Sequence, residues 1–446
     1  MPKTEIEYNY EVNKRVEYKN LLLITTPKIV RLKYEEKTCP EAHKIKMVKA
    51  FAVDEDFCPI HGEKLLSNGN QAGEIELVTF KAVDENKNEI YCFAPKEIML
   101  DGIDIYYKFN GSGYDVSVAG KKNMSFVGVL LTEIKAYKQE IQETSNLTPE
   151  EAIQMFMSYR PPLKYPDYIQ NNYKHALLLA SVHIGLNILV IGTPGTLKTE
   201  TALALKEITG GAFVDVPNAT TVGVIGSTSR NSITGQDEFT PGAIFDARDN
   251  LLLVDEIDKA PETKFFQVFN SLIANHAFEY RKGQIKYFND DFYISFIGFG
   301  NPIGTFFNTT PIIDIRRTFA KNKEFLSRMH LMFALKSQGK PELTDFFADT
   351  STVNKALHDF VMSRRKIQVL GFEPDAKEEM LKFRDKKWEE YNELRFDKNL
   401  VDLCIAEAKF NGHEKITLKD VINVEQLYAT QDALLYDKVF QKDLPK

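Results

Sequence analysis

The feature that most constrains the fold of this chain is a glycine-rich loop between an apolar strand and a helix. The apolar run Asn187–Ile191 leads directly into residues 192–199, which read GTPGTLKT, and a helical stretch follows. Glycines at such a turn let backbone N–H groups converge on a phosphate, and the N-terminus of the next helix adds a favourable dipole. The segment therefore predicts a nucleotide-binding loop on an α/β sheet.

Two residues of this loop have chemical tasks. Lys198 would neutralise β- and γ-phosphate oxygens, and Thr199 would offer its hydroxyl to Mg²⁺. Leu197 replaces the glycine that usually precedes the lysine, and its side chain is tolerable only if it points away from the phosphates. The residues expected to hold ATP and its metal are Gly192, Thr193, Pro194, Gly195, Thr196, Leu197, Lys198, Thr199 and Asp255.

A second apolar strand, Leu251–Val254, ends in the carboxylates Asp255 and Glu256. Asp255 would hold Mg²⁺ through water, whereas Glu256 faces another way and would polarise the attacking water. Acidic residues at strand ends are often merely solvated. Combined with the glycine loop, however, the pair indicates hydrolysis of ATP rather than binding alone.

Two more polar residues stand at the ends of apolar strands. Asn301 follows the strand Tyr293–Gly300, at the carboxyl edge where open α/β sheets bind ligands, and its amide would orient the attacking water. Arg328 precedes another strand. It is either a finger that reaches the γ-phosphate on a neighbouring subunit or an ordinary surface charge.

The hydrophobic patterns divide the chain into three parts. Residues 1–145 contain short runs of β-branched and aromatic residues, which predict a small all-β domain. Residues 146–338 alternate longer apolar strands with helices, which is typical of a parallel α/β core. Residues 339–446 show the i, i+3, i+4 spacing of a helical lid. Capping motifs predict helix starts at Thr148 and Thr417.

Composition narrows the cellular setting. The chain has 446 residues, 43% hydrophobic and 27% charged, the balance of a folded multi-domain protein. The sequence lacks a signal peptide and a long apolar run, so we expect an intracellular, cytoplasmic protein without a membrane partner. The formal net charge of -7 means that any nucleic acid must be bound by a local basic groove.

Two short pairs of metal-ligand residues lie in the first domain. A C-x3-H pair and a C-x2-H pair are separated by a loop of a size that closes a tetrahedral Zn²⁺ site. The alternative is a pair of core cysteines with unrelated surface histidines. The candidate ligands are Cys39, His43, Cys58 and His61. The other cysteines, Cys92 and Cys404, lie in apolar runs and are expected in the core.

These motifs, in this order, resemble the minichromosome maintenance (MCM) branch of the AAA+ ATPases, the ring helicases of replication. The resemblance extends over roughly residues 148–430, and it is weaker in the first part. It is carried by the segments NILVIGTPGTLKT, TPGAIFDARDNLLLVDEIDKA, GFGNPIG and EFLSRMHLMF. It implies an N-terminal OB-type barrel with a zinc hairpin, an AAA+ core and a helical lid, assembled as a homohexamer that acts on DNA.

The resemblance also implies roles for individual residues. Lys198 and Thr199 would be the Walker A residues, Asp255 and Glu256 Walker B, Asn301 sensor 1, and Arg328 an arginine finger acting on the next subunit. The residues after Arg328 depart from the family's pattern. For the family's second trans-acting arginine, Arg395 and Lys398 compete, and the sequence leaves the choice open.

Two inserts would face the channel of such a ring. One is residues 222–239, rich in Gly and Ser as a mobile loop is. The other is a hairpin over residues 278–288 with cations at its tip, which suits a DNA phosphate backbone with optional base stacking. The cations are Arg281, Lys282 and Lys286, and the neighbouring aromatic residues are Tyr280, Tyr287 and Phe288.

Two other functions fit the same motifs. The stretch that follows Leu251 also resembles the MoxR-type AAA+ ATPases, which remodel protein partners, and a hairpin that is only solvated would suit them. The zinc-bearing β domain argues against that branch. The other alternative is a nucleotide-gated ring that binds DNA without unwinding it.

Overall fold

The structure is a computed structural model. It describes residues 7–8, 14–41, 44–49, 51–52, 61, 63–100, 107–119, 125–137, 145–159, 166–230, 237–260, 264–282, 285–336, 351–391 and 394–436. The chain forms two compact units. One consists of residues 1–140 with 226–241 and 282–285, and the other consists of the remaining residues.

The N-terminal unit contains a nine-stranded sheet. Its strands are β1 (Glu7–Tyr8), β2 (Arg15–Leu23), β3 (Lys28–Thr38), β4 (Lys44–Val48), β5 (Phe51–Ala52), β6 (Leu66–Val83), β7 (Glu89–Ala94), β8 (Lys108–Ala119) and β9 (Ser125–Ala136). Five of them close into a ring in the order β2-β6-β7-β9-β8 and back to β2. Every pair in the ring is antiparallel except β7 with β9.

The ring of strands surrounds an apolar core. Leu77, Phe93, Val116 and Leu130 from four strands of the ring are buried together, with Val30 of β3 added. Strands β3 and β4 form an antiparallel pair in the connection between β2 and β6, and β3 extends the sheet by pairing with β6. A closed ring leaves few open strand edges, which protects a sheet of this size from pairing with other chains.

The second unit is built around a five-stranded parallel sheet in the order β11-β14-β17-β10-β18. The remaining strands of the chain are β10 (Asn187–Gly192), β11 (Ala212–Asp215), β12 (Gly226–Arg230), β13 (Asp237–Pro241), β14 (Asn250–Asp255), β15 (Phe278–Lys282), β16 (Ile285–Asn289), β17 (Ile294–Gly300) and β18 (Leu331–Leu335). Every residue of β10 and β17 is buried, as expected for central strands covered on both faces.

Within the described ranges, seven α-helices accompany the sheet and four more form the C-terminal part. The first seven are α1 (Pro149–Tyr159), α2 (Asp167–Val182), α3 (Lys198–Thr209), α4 (Thr221–Ile225), α5 (Lys264–Asn275), α6 (Pro311–Thr318) and α7 (Lys323–Leu326). The last four are α8 (Ser351–Arg365), α9 (Pro374–Tyr391), α10 (Leu394–Asn411) and α11 (Leu418–Leu435). The expectation of a central α/β domain followed by helices is therefore confirmed.

Both expected capping motifs are present. The Thr148 hydroxyl accepts the N–H of Glu151 at 3.2 Å where α1 begins. At α11, Thr417 and Asp420 form a reciprocal capping box. The C-terminal helices pack on the α/β core through α10 and α11, and His175 of α2 lies 3.1 Å from the buried Glu407 carboxylate of α10. None of the helices in the described ranges has both the length and the hydrophobicity that a bilayer crossing requires.

The expectation of a mobile loop over residues 222–239 is wrong for most of that segment. Its first residues belong to the short helix α4, and β12 pairs antiparallel with β13 in a hairpin. Residues 231–236, between these strands, lie outside the described residues. Ser227, Thr228 and Ser229 of β12 are partly or fully exposed, whereas Phe239 of β13 is buried, so the hairpin has one covered position among polar ones.

Candidate active site

The glycine loop and the two acidic residues meet at the carboxyl edge of the parallel sheet. Strand β17 lies between β10 and β14, with Gly300 opposite Ile191 and Gly298 opposite Val254. Because neighbouring parallel strands end at the same edge, the loop after β10, Asn301 and Asp255 are brought side by side. This edge contains all the catalytic residues that the sequence predicted except Arg328.

Lys198 lies inside the loop rather than in solvent. Its ammonium group donates to the carbonyl oxygens of Gly192 at 2.9 Å and Thr193 at 3.1 Å, and to the Thr196 hydroxyl at 3.1 Å. Burial lowers the pKa of Lys198 to about 8, although Asp255 and the other nearby carboxylates favour the charged form. The lysine therefore occupies part of the space where phosphate oxygens would be bound, and these oxygens would replace its carbonyl partners.

Thr199 and Asp255 provide a pair of hard oxygen ligands. The Thr199 hydroxyl donates to a carboxylate oxygen of Asp255 at 2.5 Å, and Asp255 is buried. Mg²⁺ is typically held by one or two carboxylates, water and the phosphates of its substrate, so this hydroxyl–carboxylate pair fits a Mg²⁺ site. In the described part of the chain, no three His, Cys, Asp or Glu side chains are grouped to hold a metal ion.

The non-glycine residues Leu197 and Glu256 at this edge have left-handed backbone conformations. Leu197 has φ 56° and ψ 33° and directly precedes the first residue of α3. Glu256 has φ 53°, which turns the chain after β14, and its carboxylate pairs with the Lys259 ammonium at 2.7 Å. A left-handed conformation costs a non-glycine residue about 1–2 kcal/mol, and such strain is concentrated at functional sites. The missing glycine of the loop is thus a left-handed position filled by leucine.

Sequence reasoning missed a third carboxylate at this edge. Asp258 lies in the turn after β14, and its carboxylate accepts the backbone N–H of Asn301 at 2.8 Å. Burial raises the pKa of Asp258, while the bond from Asn301 acts in the opposite direction. The available signal was its position three residues after Asp255, but the bond depends on β14 and β17 being neighbours in the sheet.

Arg328 lies at the opposite edge of the same sheet. It precedes β18, whose first residue pairs with Ile188 at the start of β10. Five residues of strand, Asn187–Ile191, separate that end from the glycine loop, about 17 Å at the usual rise per residue. The Arg328 guanidinium is within 3.7 Å of the Glu324 carboxylate, and within the described residues its buried Nε has no hydrogen-bond partner. Arg328 therefore does not belong to the site formed by its own chain.

The segment that carries Arg328 is held from two sides. The Asn187 side chain donates to the Arg328 carbonyl at 3.2 Å, and its backbone N–H donates to His330 Nδ1 at 3.0 Å. On the other side, the Asn399 side chain of α10 donates to the Met329 carbonyl at 3.1 Å. These bonds fix the finger candidate relative to both the loop-bearing strand β10 and the C-terminal helices.

The surroundings of Arg395 and Lys398 distinguish these two candidates for the second trans-acting cation. Arg395 donates to the Ser327 hydroxyl at 3.1 Å, next to Arg328. Burial lowers the pKa of Arg328, and the positive charge of Arg395 lowers it further. Burial lowers the pKa of His276, and the positive charge of Lys398 lowers it further. Arg395 thus shares the Arg328 surface, beside a cavity of about 540 Å³ that is also lined by Arg316 and Lys323.

The hairpin of β15 and β16 places its predicted residues differently. Arg281 is exposed and pairs with Glu279, while the backbones of Lys282 and Lys286 lie in the two strands. Phe288 is 54% exposed, so it remains available for stacking. Tyr287 is buried against Phe245 and Phe278, and the suggestion that it stacks on a base is wrong because its ring belongs to the core.

Half of the zinc candidate lies within the described residues. Cys39 is buried, and its sulfur lies 3.3 Å from Nδ1 of His61. Two ligands of one tetrahedral zinc would be separated by about 3.5 Å, given the usual Zn–S and Zn–N bond lengths. His43 and Cys58 lie outside the described residues. Cys92 and Cys404 are buried as expected, and burial raises the pKa of both thiols.

The sheet order, the glycine loop and the paired Thr199 and Asp255 define a P-loop ATPase domain of the AAA+ type. Residues 172–352 match the family model described as the MCM P-loop domain, so this central part of the chain is an MCM-like AAA+ domain. This bears out the family resemblance seen in the sequence. No curated protein matches the chain.

Proposed function

We propose that the chain is an ATP-driven DNA helicase or single-strand translocase of the MCM type, which works as a homohexameric ring in DNA replication. The observation that carries the proposal is the placement of the glycine loop and Arg328 at opposite edges of one sheet. A ring of identical subunits would bring the Arg328 edge of each chain to the loop edge of the next. The helicase family of the P-loop domain gives the expected class of activity.

The residues of the loop edge would act together on ATP. Lys198 would leave its carbonyl partners and bind β- and γ-phosphate oxygens. Glu256 would accept a proton from water whose oxygen attacks the γ-phosphorus, while the bond to the bridging oxygen breaks and ADP leaves. Asn301 would orient that water. Thr199 and Asp255 would hold Mg²⁺, which supplies charge neutralisation on the phosphates.

In the ring, two cations would complete the site from the neighbouring subunit. Arg328 would stabilise the charge that develops on the γ-phosphate, which in related reactions contributes about 10³- to 10⁵-fold in rate. Arg395 lies on the same surface and is our choice for the second arginine, since its guanidinium donates to the Ser327 hydroxyl next to Arg328. The Arg328 Nε has no hydrogen-bond partner among the described residues, which supports a role for the guanidinium at a subunit interface.

DNA binding is proposed on two features. The ring order of β2, β6, β7, β9 and β8, with one parallel pair, supports an OB-type barrel, a fold that commonly binds single strands. The β15–β16 hairpin offers the exposed Arg281 and Phe288 to a phosphate backbone and a base. The proposal includes Lys282 and Lys286 of the same hairpin as further DNA-binding cations.

Zinc is proposed for the first unit on the approach of Cys39 to His61. The test is elemental analysis of purified protein, which should give about one zinc per chain, with loss of that zinc in Cys39→Ser. A full zinc complement in Cys39→Ser would remove Cys39 from the metal site. We also propose an intracellular, cytoplasmic location, with nucleoid association when DNA is bound, which fractionation of cells would test.

The decisive experiment is strand displacement from a forked duplex. Wild type with ATP and Mg²⁺ should release the strand, and Lys198→Ala should not. ATP hydrolysis that single-stranded DNA leaves unchanged, without displacement, would point to the protein-remodelling alternative. DNA binding gated by nucleotide, without displacement, would point to the clamp. In both cases the helicase proposal fails.

Two variants test the shared site. Glu256→Gln should bind ATP and lose turnover, and equal hydrolysis by this variant and wild type would remove Glu256 from the chemistry. Arg328→Ala should be inactive alone yet recover part of its activity when mixed with Lys198→Ala subunits. Their intact Arg328 would serve the intact loops of the Arg328→Ala chains. Absence of recovery in mixed rings would contradict action between subunits.

A further inference from the structure

Asp258 occupies a position that joins three parts of the active site. It follows Asp255 and Glu256 in the turn after β14, its carboxylate accepts the Asn301 N–H at 2.8 Å, and its charge acts on Lys198. Neither the sequence motifs nor the family match assigns it a role.

The contact between Asp258 and the tip of β17 is close on both sides. A side-chain carbon built on Gly300 would lie 2.8 Å from the Asp258 carboxylate oxygen and 3.1 Å from Ile257. The glycine before Asn301 therefore lets the carboxylate approach the strand end. Because Gly300 is paired with Ile191, this contact lies beside the first residue of the glycine loop.

Apart from the Asp258 bond, the described residues hold the Asn301 backbone from one direction only, that of β17. It follows the last residue of β17, where sheet bonding stops, and Pro302 comes next. Proline has no N–H to anchor the chain on that side. A fixed backbone at Asn301 requires a bond from outside the strand, and the Asp258 carboxylate provides it.

We propose that Asp258 is a positioning residue for ATP hydrolysis, which holds the Asn301 backbone so that the Asn301 amide faces the attacking water. The proposal rests on the ATPase function proposed above and adds a residue to it. Asp258 touches neither the water nor the phosphate in this scheme. Its effect on turnover passes through Asn301, and at pH 7, below the pKa of Lys198, the loss of its charge should leave nucleotide binding nearly intact.

The test compares Asp258→Ala with Asp258→Asn, since asparagine retains an oxygen that accepts the Asn301 N–H. Asp258→Ala should lower kcat about 10- to 100-fold, the size expected for a misplaced catalytic group, with little change in the Kd for ATP. Asp258→Asn should keep kcat within about threefold of wild type. Combined with Asn301→Ala, Asp258→Ala should cause little further loss, because both act on the same group.

The control is Asp290→Ala, which removes an exposed carboxylate before the other end of β17 and should leave kcat unchanged. Equal kcat in Asp258→Ala and wild type would overturn the proposal. So would equal losses in Asp258→Ala and Asp258→Asn, or full additivity with Asn301→Ala, because neither is compatible with a bond that acts through Asn301.

Hydrogen exchange separates this proposal from the ATPase proposal. In nucleotide-free protein, the backbone N–H of Asn301 should exchange with solvent about 10- to 100-fold faster in Asp258→Ala than in wild type. Asp258→Asn should restore slow exchange at this N–H. Unchanged exchange would show that the bond does not hold Asn301. If wild type did not hydrolyse ATP, the proposed function would fail while this arm would still decide the contact.

Discussion

Replacement of Leu197 tests whether the glycine loop stores backbone strain. The left-handed conformation of Leu197, φ 56° and ψ 33°, costs about 1–2 kcal/mol for leucine or alanine but not for glycine. Glycine in turn loses about 0.5–1 kcal/mol through its more flexible unfolded chain. Leu197→Gly should therefore be more stable than Leu197→Ala by about 0.5–1 kcal/mol, since both lack the leucine side chain.

A matched control lies in the next helix. Leu203 is 37% exposed and sits inside α3, where backbone angles are right-handed. There, glycine should be less stable than alanine by about 1 kcal/mol, so the sign of the difference reverses between the two positions. The chain has a single tryptophan, Trp388 in α9, whose fluorescence in urea reports only on the unit that contains the loop.

The measured quantity is the midpoint of urea unfolding for the four variants, provided that their transition slopes agree. If the alanine variant unfolded at a higher urea concentration than the glycine variant at both positions, the strain argument would be refuted. The position before Lys198 would then behave like the interior of an ordinary helix. If the glycine variant had the higher urea midpoint at both positions, side-chain removal rather than backbone conformation would decide the order of stability. Only opposite signs at 197 and 203 support the reasoning.

Three further outcomes are expected. Burial sets the pKa of Lys198 at about 8, and phosphate binding needs the charged form, so the Kd for ATP should rise about tenfold per pH unit above pH 8 in a titration with fluorescent ATP. Burial alone would raise the pKa of Asp314, but hydrogen bonds from residues 308–309 outweigh it and hold the value below normal. Stability from Asp314 is therefore present above the ordinary pKa and lost as the pH falls through the depressed one, and Asp314→Ala should cost about 2–3 kcal/mol in urea unfolding at pH 7. Asn187→Ala should lower kcat about tenfold by freeing the Arg328 segment, and mixing with Lys198→Ala subunits should restore part of it.

Local signals explain why the central domain could be predicted from the sequence. A strand, a glycine loop and a helix follow one another between Asn187 and Thr209, so each supports the others without any distant contact. The same applies to the strand that ends at Asp255 and to the cap at Thr417. The hydrophobic periodicity predicted these helices and strands, and the order of the motifs indicated the MCM-like domain.

Residues whose roles depend on packing could not be predicted. The bond from Asn301 to Asp258 spans 43 residues of sequence and exists only because β14 and β17 are neighbours. In the hairpin, Tyr287 is buried and Phe288 exposed, an alternation that the sequence shows without indicating which face is covered. Arg395 and Lys398 lie three residues apart near the start of α10, so only the docking of that helix distinguishes them.

Strand β10 connects the two halves of the proposed shared site. Its first residue, Asn187, binds the Arg328 carbonyl, and its last residue, Gly192, begins the loop that would hold the phosphates. The strand is buried along its whole length and hydrogen-bonded on both sides, so it resists bending. Each chain would therefore present its loop and its finger at a fixed separation. In the proposed ring, the distance between the loop and Arg328 would then be the same in every subunit, and so would the fit at every interface. A change at one loop would reach the next site through movement of whole subunits or of the C-terminal helices.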